Sequence, residues 1–68
     1  MAAAQNRMGM NIKRLRAEHG ITQTTLAKKA NLSLGYVARL EIGMHDPPLS
    51  TLAKIAKVLR VKIGQLVD

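Results

Sequence analysis

Two helix-length stretches separated by only three residues, Asn31-Leu32-Ser33, constrain this chain more than any other feature. In the first stretch Thr22 offers an N-cap hydroxyl, and Leu26, Ala27 and Ala30 form one inward stripe. Asn31, the non-glycine residue that best tolerates a left-handed turn, is the natural stop. In the second, Ser33 can cap a helix whose Val37 and Leu40 share a face while Gly35, Ala38 and Arg39 point the other way. Two short helices joined by so tight a turn, the second with small or polar residues outward, are the sequence form of a helix-turn-helix.

The flanking segments are helical as well. From Met10 to Glu18, Ile12 and Leu15 stand among Lys13, Arg14 and Arg16 at helical spacing, and Gly20 supplies the stop. Gly43 suits a left-handed C-cap, and the adjacent Pro47 and Pro48 cannot continue a helix, so 43–48 is a surface loop. Leu49, Leu52, Ile55, Ala56 and Leu59 then recur at three and four, with Lys54 and Lys57 on the wet side. Val61, Ile63 and Leu66 make a last short helix, and no segment alternates as a strand does. The expectation is an all-α chain of five helices, with residues 1–7 a flexible N-terminal arm and 8–68 one domain.

At 68 residues the chain holds one modest core, which calls for a supplement. It has no cysteine, and His19 and His45 are its only imidazoles, without HExxH spacing, so disulfide, metal and cofactor are not expected. Self-association is the favoured supplement. Eleven Lys and Arg against four acidic residues give a net charge of +7, which draws a polyanion. No apolar run approaches the roughly 18 residues of a spanning helix. The opening residues lack a signal-peptide core, so no membrane partner and a cytoplasmic location are expected. Tyr36 is the sole aromatic, which disfavours the stacking platforms that hold unpaired bases and leaves duplex nucleic acid as the better partner. Two histidines and four carboxylates scattered along the chain form no catalytic constellation, so no enzyme is expected.

Ile12-Lys-Arg-Leu-Arg, Gly20-Ile-Thr-Gln, Leu26-Ala, Leu32-Ser, Gly35-Tyr-Val, Leu40-Glu, Gly43 and Pro47, at this spacing, resemble the repressor/Cro-like (Xre) family of DNA-binding domains from about Met8 to Val67. The resemblance implies the five-helix lambda-repressor-like fold. It also implies a homodimeric, sequence-specific transcription regulator on a near-palindromic operator of double-stranded DNA, with helix 33–42 in the major groove. Leu34, Gly35 and Arg39 fall where the family places base contacts. Leu34 can offer only apolar contact, for instance to a thymine methyl, and Gly35 has no side chain, so Arg39 is the main direct reader; an arginine fork can bond O6 and N7 of guanine. Gly35 admits two readings, close backbone approach to DNA or packing around Tyr36.

By the same resemblance Gln23 bonds a phosphate and braces the first reader, and the Tyr36 hydroxyl meets the DNA backbone. Thr22, Ser33 and Ser50 stand at helix starts, where free amides attract phosphate. Lys28, Lys29 and Arg7 are backbone clamps or simply solvated charges, and His45 and Asp46 offer main-chain contact at most. Arg16 and Glu41 match positions that pair helix one with the end of helix three as a structural salt bridge. Ile63, Gln65 and Val67 lie in the dimer-contact region, with intramolecular core the other reading for Ile63 and Val67. Three departures leave the fold intact: Thr25 where a carboxylate is common, Arg60 where glycine closes helix four, and Pro48 in place of serine. Small restriction-modification controller proteins are similar in size and in the Asn31-Leu32 and Tyr36-Val37 pattern. The alternative function is an antitoxin-like module whose main partner is a toxin polypeptide, against which the short chain argues.

Overall fold

Helix ends, more than helix interiors, set this architecture. The computed structural model describes the backbone of residues 3–68 and side chains from residue 7 onward. Five helices follow in order: α1 (Ala3–Glu18), α2 (Gln23–Ala30), α3 (Leu34–Glu41), α4 (Leu49–Leu59) and α5 (Ile63–Val67). No strand occurs among the described residues.

The first four helices stop in the same way. Gly20, Asn31, Gly43 and Arg60 have φ of 67°, 58°, 81° and 56°. The following N–H in each case returns to a carbonyl five residues back: Ile21 to Arg16 at 3.1 Å, Leu32 to Ala27 at 2.8 Å, Met44 to Arg39 at 2.9 Å and Val61 to Ala56 at 3.0 Å. This double-bonded stop satisfies carbonyls that would otherwise lack partners. Arg60 adopts it with a side chain attached, a conformation that costs an L-residue about 1–2 kcal/mol. Two starts are capped as the sequence predicts. The Thr22 hydroxyl accepts from the Thr25 N–H at 3.1 Å, and Ser33 Oγ accepts from the Tyr36 N–H at 3.0 Å. Thr22 also donates its hydroxyl hydrogen to Thr25 Oγ1 at 3.1 Å.

The beginning of the chain differs from expectation. α1 starts at Ala3, so Ala3 to Arg7 continue a helix where the composition predicts a flexible arm. Ala3, Ala4 and Gln5 are good helix formers, and no breaker separates them from Met8. The expectation for Met1 and Ala2 falls outside the described residues. The extended α1 crosses the end of α3 at Gly9, where a Cβ would stand 2.5 Å from the Glu41 carbonyl oxygen and 2.6 Å from that of Leu40. Glycine inside a helix costs about 1 kcal/mol relative to alanine, and here it lets two backbones touch. The Asn11 side-chain amide then donates to the Leu66 carbonyl at 3.1 Å, tying α1 to α5. Ile12, Leu26, Val37, Leu40, Ile55, Leu59 and Leu66, drawn from all five helices, are fully buried together in one core.

Candidate nucleic-acid interface

The C-terminal end of α3 is held by charge. Arg16 on α1 donates Nε–H to Glu41 Oε2 at 2.8 Å and an Nη2 hydrogen to Oε1 at 3.2 Å, a two-point pairing. A third donor group, Arg16 Nη1, reaches the Ile21 carbonyl at 3.0 Å, and Gln23 Nε2 donates to Glu41 Oε1 at 2.9 Å. Glu41 is 6% exposed, and three side-chain hydrogen bonds satisfy its buried carboxylate oxygens. The bond to Glu41, opposed by burial, raises the Arg16 pKa above the ordinary arginine range. A raised pKa keeps the guanidinium charged up to strong alkali, so the loss of its proton does not weaken the pairing near neutral pH. The Arg16–Glu41 geometry matches the structural pairing expected from the sequence. The sequence reading missed that the Gln23 amide joins them: one of its hydrogens is engaged inside the protein instead of being free for a phosphate.

The outward face of α3 is held loosely by comparison. Leu34 is 48% exposed at its start, and Arg39 is exposed one turn on. Arg39 donates Nε–H to His45 Nε2 at 3.2 Å, which requires the His45 proton to sit on Nδ1. The His45 ring stacks on Tyr36 with centroids 4.6 Å apart and planes at 21°. The space beside Gly35 is filled by the Arg39 guanidinium, whose Nη1 lies 3.3 Å from where a Cβ would be. Gly35 therefore makes room for an arginine lying along its own helix, a third reason beside the two the sequence offers. His45 emerges as part of this face, although the sequence suggested only main-chain contact from its loop.

At the helix starts the hydroxyls of Thr22 and Ser33 are occupied as caps, which leaves backbone amides as the phosphate-facing groups there. Ser50 is exposed in the first turn of α4, and Pro48 before it supplies no side-chain cap. Lys28 is exposed near the end of α2 and Tyr36 is half-buried. Of the three residues assigned to dimer contact, Ile63 packs partly against the core and Gln65 Oε1 accepts from the Lys62 N–H at 3.0 Å, while Val67 is 40% exposed. Among the described residues no three of His, Asp and Glu gather as metal ligands would.

Residues 12–66 match the family described as Helix-turn-helix. The chain belongs to the helix-turn-helix family. Among helix-turn-helix relatives, the immunity repressor protein of Bacillus phage phi105 is 42% identical over 60 residues, covering 88% of this chain and 42% of the repressor. The chain thus spans less than half the length of that relative. The restriction-modification controller protein C.AhdI from Aeromonas hydrophila superposes with a TM-score of 0.90 at 30% identity, covering 94% of this chain and 97% of C.AhdI. SinR of Bacillus subtilis, a master regulator of biofilm formation solved in complex with DNA, superposes with a TM-score of 0.86 at 32% identity, covering 90% and 98%. The helix-turn-helix unit comprises α2, the Asn31-Leu32-Ser33 turn and α3, so the outward residues of α3 belong to a DNA-binding domain. The repressor/Cro-like resemblance and the all-helical, five-helix architecture hold. The relatives are a repressor and transcriptional regulators, not enzymes. No helix among the described residues is long and apolar enough to cross a membrane.

Proposed function

We propose that this chain is a sequence-specific regulator of transcription that binds double-stranded DNA in the cytoplasm as a two-fold dimer on a near-palindromic operator. Helix 33–42 enters the major groove, and Arg39 is its principal reader. The observation that carries the reading is the exposed Arg39 fork on the outer face of α3, held by one neutral partner, His45, that it can leave without uncovering a buried charge. Swinging away from His45, the fork offers two parallel donors to O6 and N7 of a guanine, worth about 1–3 kcal/mol of discrimination. Leu34, beside it, meets an apolar feature such as a thymine methyl. Gly35 keeps the helix surface low enough for the groove floor to come near once the guanidinium has lifted.

Register on the duplex comes from phosphate contacts. The first amides of α2, at Gln23 and Thr24, and of α4, at Leu49 and Ser50, present unbonded N–H groups at the positive ends of their helices. Lys28 adds charge, the one remaining hydrogen of the Gln23 side-chain amide adds a donor, and Tyr36 adds its hydroxyl. Thr22 and Ser33 act by holding those helix starts in shape. In the dimer, Val67 with the outer edge of Ile63 supplies apolar contact across the two-fold axis, flanked by Gln65, and places two copies of α3 one DNA turn, about 34 Å, apart.

The test is binding of the purified chain to the DNA upstream of its own gene and to a scrambled duplex at physiological salt, with stoichiometry measured in the same titration. Two chains per site and a preference of about a thousandfold or more are expected. Equal binding to both duplexes overturns the proposal.

A further inference from the structure

A second basic face lies along the seam between α2 and α4. Its first groove, about 350 Å³, is lined by Lys29, Ala30, Asn31, Lys54, Lys57 and Val58. A second groove of about 270 Å³ shares Lys29 and Val58 and runs on to His19, Ile21 and Arg60. No residue of α3 and no carboxylate lines either one. Successive residues on a helix are about 100° apart, so Lys28 and Lys29 leave α2 on different flanks, and Lys29 is the one beside α4. Lys54 and Lys57 are three apart on one face of α4, where like charges repel. Among the described residues the ion pairs are Arg14–Glu18 and Arg16–Glu41, and neither relieves this cluster.

The arrangement gathers Lys29, Lys54, Lys57 and Arg60 around an apolar floor of Ala30 and Val58. A fold gains nothing by bringing four cations together, whereas an anionic partner would remove the repulsion. We infer that this seam docks an extended acidic segment of another protein, with carboxylates against the four cations and an aliphatic side chain over Ala30 and Val58. A phosphate backbone would satisfy the cations but has no apolar group to cover Val58. A compact small anion would use one groove, not the two that adjoin. Because α3 contributes nothing to the seam, the segment can be held while the recognition helix is on DNA, which gives a DNA-bound domain a means of tethering an acidic partner.

The probe is an acetylated peptide, Asp-Leu-Glu-Glu-Leu-Asp-Glu-Leu, titrated into the full isotope-labelled chain and followed by amide chemical shifts, with and without saturating duplex. Shifts centred on Ala30, Lys54 and Val58 are expected, unchanged by duplex. Affinity should fall about tenfold for K54Q/K57Q, two exposed positions whose neutralisation leaves the core intact, and should be untouched by R39A. Replacing the leucines of the peptide by serine should also weaken it, which separates the apolar floor from bulk attraction to charge. Shifts on α3, displacement by duplex, or equal binding by K54Q/K57Q or by the serine peptide each overturn the inference. Displacement would assign the seam to the DNA footprint instead.

Discussion

Arg16 and Arg39 both bind side chains at or just beyond the end of α3, yet their surroundings differ in every respect that matters. Arg16 faces a buried carboxylate through two bonds, with a third to the Ile21 carbonyl and Gln23 as a second donor to the same oxygen. Arg39 lies exposed on the helix surface with one bond to a neutral imidazole. Moving Arg16 would leave a desolvated charge without its partner, which a small domain cannot tolerate. Moving Arg39 costs one water-accessible hydrogen bond, which solvent or a base edge replaces. The same side chain is fastened in one place and free to leave its partner in the other, and the difference comes from burial and from the charge of the partner.

The largest effect should come from removing the acceptor at the fastened end. Glu41→Ala strands Arg16 and leaves Gln23 without its acceptor, and is expected to cost about 3–5 kcal/mol, seen as a large fall in Tm. A melt like that of the parent protein would erase the distinction between the two arginines. At the other end, Arg39→Ala should hold stability to within about 0.5 kcal/mol. It should lose about 1–3 kcal/mol of discrimination at one base pair, read by titrating operator duplexes carrying single substitutions. If that variant melts as low as Glu41→Ala, Arg39 is a structural residue and not a reader.

Gly9→Ala sharpens the comparison from the backbone side, because its Cβ would push on the carbonyls of Leu40 and Glu41 and so on the fastened end alone. Destabilisation of about 1–3 kcal/mol is expected despite the better helix propensity of alanine, with base preference unchanged in the folded fraction. Denaturant melts beside operator titrations check both halves. A third arginine gives the smallest effect, of opposite sign. Arg60 closes α4 with φ of 56°, and Arg60→Gly should raise stability by about 1 kcal/mol, visible as a higher Tm. No gain would mean that its side chain compensates the backbone strain through contacts at the α2–α4 seam.

Much of this molecule was legible along the chain because its determinants are local. The caps at Thr22 and Ser33, the left-handed stops at Gly20, Asn31 and Gly43, and the apolar stripe of α4 each depend on residues within a turn or two of one another. Residue type and spacing therefore suffice to read them, and the motif they spell led to the repressor/Cro-like resemblance and through it to the Arg16–Glu41 pair. The beginning of α1 escaped because its small and polar residues suit a loose arm and a helix alike. Tertiary structure alone decided that Gly9 lets α1 touch the end of α3, that Gln23 turns inward to Glu41, and that Arg39 lies over Gly35 against a His45 stacked on Tyr36. It also decided that lysines from α2 and α4 face one another across an apolar floor. The physical reason is common to these cases: each depends on where one helix crosses another or where the loop after α3 comes back against it, and local patterning fixes neither.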